Sequence, residues 1–273
     1  MELNGQPAAP EALRALALTN YGHFTTMRVD DGRVRGLGLH MERLGRDCRE
    51  VFGAQLDPEW VRGLVARVVP GEGSCVVRVT VFDPGIDLGR PAAHATPHVL
   101  VTVRAAAGGD GLPPLRVKTV PYVRDAPAVK HVGLFGTLRA RRAAQLAGFD
   151  DALFTGPGGL VSEGGTWNVG FVRGDGAVVW PEAEVLPGVT MALLREGREG
   201  REGREGQKGN EHVVAPVTVE DVRTMRGAFA TNAAVGVRGV AAVDDVRFDA
   251  DEAAPVLDRL RESYARVLGE PLR

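Results

Sequence analysis

Apolar and polar positions follow two different periods over the first part of the chain. Residues 21–29 alternate with the two-residue period of a strand, and Asp30-Asp31-Gly32 behind them is typical of a hairpin turn. In residues 39–52 the apolar side chains recur at helical spacing instead. Asp57-Pro58 predicts the N-cap and first residue of a second helix. The buried stripe of that helix would consist of Trp60, Leu64 and Val68.

Strands then follow without repeated strand–helix–strand units, an order that predicts an α+β fold. They are expected at residues 75–82, 97–104 and 115–120. The proline-containing segment 121–128 is unsuited to a helix and predicts an interdomain linker. We therefore expect an N-terminal α+β domain over residues 1–120 and a C-terminal domain over residues 129–273.

The second half of the chain predicts two amphipathic helices and one tract without an apolar face. The helices are expected at residues 136–147 and 252–268. The inward face of the first would consist of Leu138, Ala143 and Leu146. Residues 195–206 repeat Arg-Glu-Gly four times, so we expect the low-complexity segment 195–210 to form an exposed insertion, or an extension at the end of the helix that begins near Met191.

The composition of the chain is typical of a soluble globular protein. The chain has 273 residues, of which 44% are hydrophobic and 25% charged, and its net charge of -2 gives no reason to expect nucleic acid or an anionic membrane as partner. No run of about 18 apolar residues predicts a membrane span, and no signal-peptide pattern opens the chain. Cys48 and Cys75 are too few for a disulfide framework. We therefore expect a cytoplasmic protein, and we predict no metal site.

Three features between residues 129 and 190 carry candidate chemistry. Lys130 lies among apolar residues, which favour the neutral, nucleophilic form of an amine. Glu163 opens the segment Glu163-Gly164-Gly165-Thr166-Trp167-Asn168. Leu186-Pro187-Gly188-Val189-Thr190 precedes a helical run, so its amides would face an anion at a helix N-terminus. Taken singly, these features also fit a surface lysine, a glutamate in a glycine turn and an ordinary helix start.

In this order and at these separations, the segments resemble the class IV (fold-type IV) pyridoxal-phosphate enzymes. That family includes branched-chain and D-amino-acid aminotransferases and aminodeoxychorismate lyase. The resemblance extends over roughly residues 21–243 and includes His40-Met41-Glu42-Arg43-Leu44, which matches the family's H-x-x-R-L, and residues 229–240. It implies a two-domain fold with a small N-terminal α/β domain and a larger C-terminal α/β pseudo-barrel domain.

The resemblance also implies roles for single residues. Lys130 would form the Schiff base and act as general base and acid, and Glu163 would contact the pyridine nitrogen. Arg43 would contact the phosphate, whose geometry suits a guanidinium. The other cofactor-binding residues would be Asn168, Gly188, Val189, Thr190, Asn232 and Ala233. The implied cofactor is pyridoxal 5'-phosphate, and the implied assembly is a homodimer.

The substrate side departs from the aminotransferases. A predicted strand ends in Asp83-Pro84, where relatives often carry Arg-Gly for a substrate carboxylate. Either Arg90 or Arg124 could compensate, and no motif decides between them. The predicted substrate contacts are Tyr21, Thr25 and Arg90.

Three functions are compatible with these residues. The leading hypothesis is a class IV aminotransferase that acts on an amino acid/2-oxo acid pair through a lysine Schiff base. The alternative is a 4-amino-4-deoxychorismate lyase that releases pyruvate and 4-aminobenzoate. Three segments resemble those of aminodeoxychorismate lyase, namely Phe24-Thr25-Thr26, Lys130-His131 and Thr231-Asn232-Ala233. A non-catalytic binding protein with the same fold is the third, and the joint presence of the cofactor motifs argues against it.

Overall fold

Two β-sheets organise the part of the chain that the computed structural model describes, namely residues 1–106, 111–199 and 211–273. The chain divides into two compact units. The first comprises Met1–Ala107, Val129–Leu134 and Leu268–Arg273, and the second comprises Gly108–Ala128 and Phe135–Val267. Strands and helices are mixed in both, which confirms the α+β class. Of the predicted insertion 195–210, residues 200–210 lie outside the described part.

The first unit is built on a seven-stranded sheet with the order β16-β4-β3-β5-β6-β1-β2. Its strands are β1 (Glu2–Leu3), β2 (Gln6–Pro7), β3 (His23–Asp30), β4 (Arg33–Val34), β5 (Ser74–Phe82), β6 (His98–Ala105) and β16 (Glu270–Pro271). Its helices are α1 (Pro10–Thr19), α2 (Leu37–Phe52) and α3 (Pro58–Val68). The apolar sides of α2 and α3 pack against one face of β3, β5 and β6 and form the core of this unit.

Local sequence signals explain several of these elements. Asp31 and Gly32 both have positive φ, 49° and 71°, and they form the predicted two-residue turn between β3 and β4. The carboxylate of Asp57 accepts the N–H of Glu59 over 2.9 Å and caps α3, as predicted. The predicted buried stripe was wrong at Trp60, which is 40% exposed. The residues of α3 that are buried are Val61, Leu64 and Val65.

Val129–Leu134 belongs to the first unit because it pairs with β3. β4 pairs with only the last two residues of β3, and this segment attaches near the other end. There Phe24 donates its N–H to the carbonyl of Lys130 over 2.8 Å, and Val132 donates to the carbonyl of Gly22 over 2.9 Å. The sequence predicts these residues in the C-terminal domain instead. The difference arises because strand pairing, which the linker composition does not reveal, attaches them to β3.

The second unit is built on a nine-stranded sheet, in which β9 pairs with β10 as well as with β8. Six strands, β10, β13, β14, β7, β8 and β9, therefore close into a ring, as expected for a pseudo-barrel. The strands are β7 (Leu115–Pro121), β8 (Asp151–Thr155), β9 (Val161–Gly164), β10 (Asn168–Val172), β11 (Val178–Pro181), β12 (His212–Ala215), β13 (Gly227–Asn232), β14 (Gly236–Val243) and β15 (Val246–Arg247). The helices are α4 (Phe135–Leu146), α5 (Val189–Glu199) and α6 (Ala250–Ala265), with 3-10 turns at Pro157–Gly159 and Asp221–Thr224.

Two sequence-based predictions in this unit differ from the structure. β7 is predicted in the first domain, but it runs parallel to β14 and β8 and completes the ring. The predicted inward face of α4 is also wrong, because Leu138 and Leu146 are 55% and 72% exposed. The residues of α4 that are buried are Thr137, Ala140 and Ala144. Small side chains allow this helix to approach Ala152 and Phe154 of β8 closely.

Apolar side chains from all six ring strands meet in one cluster, which includes Leu115, Leu153, Val161, Phe171, Ala230 and Val240. A second cluster lies beneath α5 and α6, around Trp180 and Phe229.

None of the helices in the described ranges has both the length and the apolar composition that crossing a membrane requires.

Candidate active site

The main chain of Lys130 is held by two hydrogen bonds. Its N–H donates to Oδ2 of Asp47 over 3.0 Å, and its carbonyl accepts from the N–H of Phe24 over 2.8 Å. Its amine lies 5.0 Å from the centre of the Phe24 ring, within the range of a cation–π contact. The lysine that the family resemblance selects is therefore fixed on both sides of its Cα, with its amine against an aromatic ring.

Arg43 belongs to a buried polar cluster on α2. His40, Arg43 and Asp47 follow one another at spacings of three and four, so they share the helix face that packs against β3. Nη2 of Arg43 donates to the hydroxyl of Thr25 and lies 3.2 Å from Nδ1 of His40. Burial lowers the pKa of Arg43 to about 10, an effect that the charge of Asp47 opposes and that of Arg46 reinforces.

The partners of His40 determine its charge and tautomer. The Thr25 hydroxyl lies 2.7 Å from Nδ1 of His40. Nη2 of Arg43, which can only donate, also lies 3.2 Å from Nδ1, so Nδ1 accepts the proton of the Thr25 hydroxyl and the ring carries its own proton on Nε2. Burial, followed by the charges of Arg43 and Lys130, holds the pKa of His40 well below its ordinary value. The ring is therefore neutral and orients the Thr25 hydroxyl.

Two nitrogen atoms of this cluster are buried without a hydrogen-bond partner in the described residues, Nε of Arg43 and Nε2 of His40. Buried donors of this kind are uncommon, because each one gives up its hydration and gains nothing in return. Both atoms are therefore candidates for contact with a bound group that carries acceptor oxygens.

The predicted substrate residues are dispersed over the first unit. Strand alternation points Thr25 toward α2, where its hydroxyl serves Arg43 and His40, whereas Phe24 and Thr26 point to the opposite face. Tyr21 donates its hydroxyl to the carbonyl of Val51 over 2.9 Å. Arg90 lies on an exposed turn after β5. Of these three residues, the structure places Thr25 against Arg43, where its hydroxyl contacts both the guanidinium and His40.

Sequence reasoning missed Arg78, which shares a sheet face with Phe24. Phe24 is paired with Thr80 and Thr26 with Arg78, so all four side chains lie on one side of β3 and β5. The guanidinium carbon of Arg78 lies 3.6 Å from the centre of the Phe24 ring, and Nε donates to the Thr80 hydroxyl over 3.2 Å. A charged residue inside an otherwise apolar strand was the available signal.

Arg78 is half-buried, and burial lowers the pKa of its guanidinium. Within the described ranges, no carboxylate lies at ion-pair distance from it. An uncompensated cation in partly buried surroundings is costly to the fold, and such groups often occur where a ligand supplies the opposite charge. Arg78 is therefore the candidate anion-binding residue on the Phe24 face.

Asp83, at the position where relatives often carry arginine, has a structural task. Its Oδ1 accepts the N–H of Gly85 over 2.8 Å, and its Oδ2 accepts the N–H of Thr96 over 2.9 Å. The carboxylate thereby closes the loop between β5 and β6. Asp83 therefore does not supply the cation that the family resemblance implies at this position.

In the second unit, Glu163 forms an ion pair with Arg124. Nη1 of Arg124 donates to Oε1 of Glu163 over 3.1 Å, with side chains 10% and 7% exposed. The same nitrogen lies 3.3 Å from the carbonyl of Pro127, and Oε2 of Glu163 accepts the N–H of Leu186 over 3.2 Å. Arg124, one of the two residues considered for a substrate carboxylate, is thus engaged with the carboxylate of Glu163.

Sheet register aligns Glu163 with two further polar residues. Asn168 of β10 is paired with Glu163 of β9 on one side and with Thr231 of β13 on the other. Directly opposed residues point to the same face of a sheet, so the three side chains form a row. The next residue of β9, Gly164, leaves room for the indole of Trp167, which a Cβ at this position would meet at 2.0 Å.

The helix α5 begins at the segment that the sequence selected for anion binding. Gly188 precedes it directly, and a Cβ at Gly188 would meet Oδ1 of Asn168 at 2.0 Å, so glycine is required there. Nδ2 of Asn168 donates to the carbonyl of Leu186 over 2.8 Å and holds this turn in place. Thr190 is 1% exposed, and its hydroxyl has no partner in the described ranges. Val189 also lies in the first turn, where N–H groups lack intrahelical acceptors.

Asn232 and Ala233 lie in the turn between β13 and β14. The side-chain oxygen of Asn232 accepts the N–H groups of Ala234 and Val235, over 3.0 and 2.9 Å. Asn232 therefore closes its own turn. Its predicted contact with a cofactor stays a prediction, as does that of Ala233.

Each unit has its own set of candidate functional groups. The first has an amine, a buried guanidinium and an uncompensated arginine on an aromatic ring. The second has a buried carboxylate paired with an arginine and a helix N-terminus with a buried hydroxyl. No group of three or more histidine, cysteine or acidic residues within 1–106, 111–199 and 211–273 is arranged to hold a metal ion.

Comparison with known proteins identifies a family. The family model described as amino-transferase class IV matches residues 22–243, most of the chain. That range includes Arg43, Lys130, Glu163 and the start of α5. No curated protein matches the chain.

Solved structures of similar fold include two aminotransferases. A branched-chain aminotransferase of Thermoproteus uzoniensis, with norvaline, is 20% identical at a TM-score of 0.82, over 100% of this chain and 98% of that one. A fold IV-transaminase from Curtobacterium pusillum is 24% identical at a TM-score of 0.75, over 92% and 89%. A candidate 4-amino-4-deoxychorismate lyase of Legionella pneumophila is 21% identical at a TM-score of 0.77, over 93% of each chain. The fold-type IV architecture is thereby confirmed.

His23 predicts a pH dependence of stability. It is fully buried, neither ring nitrogen has a partner in the described residues, and burial lowers its pKa to about 4 against the opposing charge of Asp47. Unfolded His23 binds a proton at its ordinary pKa of 6.5, so the unfolded state holds more protons between these values. We expect the free energy of unfolding to fall by about 3 kcal/mol as the pH drops through this window.

Urea unfolding at pH 7 and pH 5 measures this effect. His23→Leu should lose part of the dependence, and the remainder should come from His40, whose pKa is lowered too. His94→Gln, at an exposed position, is the matched control. An unchanged pH dependence in His23→Leu would contradict the assignment.

Proposed function

The chain belongs to the class IV aminotransferase family, whose members are pyridoxal-phosphate-dependent aminotransferases or lyases, and we propose that it binds pyridoxal 5'-phosphate and transfers an amino group between an amino acid and a 2-oxo acid. One observation carries the proposal. The family match covers residues 22–243, and within it the chain has a lysine clamped at its main chain together with polar groups that lack partners.

The residues present fit the proposed cofactor. Nε of Arg43 and the hydroxyl of Thr190 are buried without partners in the described ranges, and a phosphate would supply acceptor oxygens to either. Gly188 leaves no room for a side chain at the start of α5, which supports the approach of an anion to the helix N-terminus. Arg43 in the first unit and Gly188, Val189 and Thr190 in the second are each proposed as phosphate contacts, as the family resemblance implies.

Lys130 is proposed as the catalytic residue. When bound, pyridoxal phosphate supplies an electron-accepting ring that stabilises negative charge at the substrate's Cα. The amine of Lys130 would hold the cofactor and, once released by the substrate, would take up the Cα proton and deliver it to the cofactor's C4′. The clamped main chain restricts where that amine can lie, which favours proton transfer between these two atoms.

Glu163 is proposed to contact the pyridine nitrogen of the cofactor. Its carboxylate is held by Arg124 and by the N–H of Leu186, so its orientation is fixed. An ionised carboxylate stabilises a proton on a neighbouring ring nitrogen. Asn168 supports the same region through the carbonyl of Leu186. Asn232 and Ala233 are proposed cofactor contacts from the family resemblance alone.

Arg78 is proposed to bind a carboxylate of the substrate. Its guanidinium and the amine of Lys130 both lie against the Phe24 ring, so their separation cannot exceed the sum of their distances to the ring centre. Of the guanidinium nitrogens, only Nε has a hydrogen bond, to Thr80, among the described contacts. The other two are suited to a bidentate carboxylate. Arg78 replaces the exposed Arg90 as the proposed substrate cation.

A lyase is the second candidate, because Phe24-Thr25-Thr26, Lys130-His131 and Thr231-Asn232-Ala233 resemble aminodeoxychorismate lyase. The proposed proton acceptor and cofactor contacts would be the same. We also propose a homodimer, as the family resemblance implies, and light scattering on the purified protein tests it.

Covalent trapping tests the cofactor assignment. Borohydride reduction in the presence of pyridoxal phosphate should label Lys130, as read by peptide mass spectrometry, and Lys130→Ala should not be labelled. The chain has only two other lysines, Lys118 and Lys208, which serve as internal controls. A label on either of them, with Lys130 unmodified, would sink the assignment.

Arg43→Gln should weaken binding of pyridoxal phosphate by about tenfold or more, because a charge-assisted hydrogen bond is lost. Binding of pyridoxal, which has no phosphate, should change little. Arg49→Gln is the matched control, since Arg49 is exposed on the same helix. Equal losses for both ligands would remove Arg43 from phosphate binding.

Arg78→Gln should raise KM for carboxylate substrates by about tenfold, with a smaller effect on kcat, because the lost contact is to the bound substrate. Arg90→Gln should leave KM unchanged. Comparing a dicarboxylic with a monocarboxylic amino donor then shows which carboxylate Arg78 binds. A loss confined to the dicarboxylic donor indicates the side-chain carboxylate, and no loss with either donor would contradict the proposal.

Product analysis separates the two reactions. Incubation with pairs of amino acids and 2-oxo acids should yield the exchanged pair, measured by chromatography. Incubation with 4-amino-4-deoxychorismate should yield no pyruvate. Pyruvate release without an amino acceptor, combined with no exchange in the pairs, would favour the lyase instead.

A further inference from the structure

Asp47 belongs to the polar cluster on α2 and also contacts the main chain of Lys130. Its side chain is 1% exposed and lies one helical turn after Arg43 on α2. Oδ2 accepts the main-chain N–H of Lys130 over 3.0 Å. Oδ1 accepts Nε and Nη2 of Arg46 over 3.0 and 2.7 Å. Each oxygen therefore has its own partner, and rotation of the carboxylate would break both contacts.

We propose that Asp47 is a positioning residue for Lys130 and the counter-charge of Arg43. The proposal rests on the proposed function, since it assumes that the amine of Lys130 takes part in the reaction. It assigns Asp47 no contact with the substrate or the cofactor. Asp47 acts through Lys130, whose main chain it holds, and through Arg43, whose buried charge it offsets.

The positioning argument begins with the Lys130 amide. Lys130 lies outside the regular strands, next to the isolated pairing of His23 with His131, so no continuous ladder fixes its N–H. The carboxylate of Asp47 does so instead, with a charge-assisted bond that is stronger than an amide–carbonyl bond. Phe24 holds the carbonyl of the same residue. Both peptide planes that flank the Cα of Lys130 are thus anchored, and so is the direction in which its side chain leaves.

The charge argument concerns Arg43. A buried guanidinium without a counter-charge is strongly unfavourable. Asp47 raises the pKa of Arg43 against the larger effect of burial, and it acts on the pKa of His23 in the same direction. Asp47 thereby offsets part of the cost of burying Arg43 without occupying Nη2, which bonds Thr25, or Nε, which has no partner in the described residues. The guanidinium remains able to meet an anion through Nε.

Trapping of pyridoxal, which has no phosphate, isolates the effect on Lys130 from the effect on Arg43. Asp47→Ala should reduce the rate of borohydride-dependent labelling of Lys130 by about tenfold or more, with pyridoxal and with pyridoxal phosphate alike. Asp47→Asn keeps an oxygen acceptor in the same place and should restore pyridoxal labelling to within about threefold of the wild type. Arg43→Gln should affect pyridoxal phosphate only.

Two further variants separate positioning from folding. Asp57→Ala removes another carboxylate that accepts a main-chain N–H in the same unit, so it controls for lost stability, and its labelling should match the wild type. Asp47→Glu keeps the charge and displaces the carboxylate by one methylene. It should label slowly, and it supplies the test if Asp47→Ala does not fold.

The outcomes distinguish the two proposals. If the wild type is not labelled on Lys130 at saturating pyridoxal phosphate, the proposed function fails. If the wild type is labelled and the folded Asp47→Ala or Asp47→Glu is labelled at the same rate, the positioning role of Asp47 is overturned and the proposed function stands. Slow labelling in Asp47→Ala, with rescue in Asp47→Asn, supports the role.

Discussion

The burial of Arg43 is the constraint on which the first unit depends. A guanidinium taken out of water needs a counter-charge and hydrogen-bond acceptors, and α2 and β3 supply them through Asp47 and Thr25. Burial, together with the charges of Arg43 and Lys130, lowers the pKa of His40 and keeps its ring neutral. Asp47 also reaches the main chain of Lys130. The compensation of one buried charge thus determines the surroundings of the lysine.

The second unit meets a similar constraint with a carboxylate. Glu163 is almost fully buried, and Arg124 together with the N–H of Leu186 compensates its charge. The closed ring of strands makes this possible, since β9 pairs with β10 and aligns Glu163 with Asn168. Asn168 in turn holds the turn that precedes α5. Sheet closure, an ion pair and a helix start therefore depend on one another.

Some polar atoms remain uncompensated in the part of the chain that the structure describes. Nε of Arg43, Nε2 of His40 and the hydroxyl of Thr190 are buried without partners. Arg43 and Thr190 are residues that the family resemblance assigned to the cofactor, whereas other residues with such atoms, such as His23 and His98, are not. Folding alone does not favour such groups, because each costs its hydration. Within each unit taken by itself, such groups are available to a bound group that carries acceptor oxygens.

By itself the sequence determined the α+β class, the capped start of α3, the β3–β4 turn and the identity of the motif residues, because each depends on local spacing or on a short motif. The tertiary structure decided the rest. Strand pairing attached Lys130 to the first unit and β7 to the second, and alternation turned Thr25 toward Arg43. Helix α4 buried its alanines instead of its leucines, since close packing favours small side chains. Arg78 and Asp47 acquired their significance only from neighbours distant in sequence, which no spacing along the chain encodes.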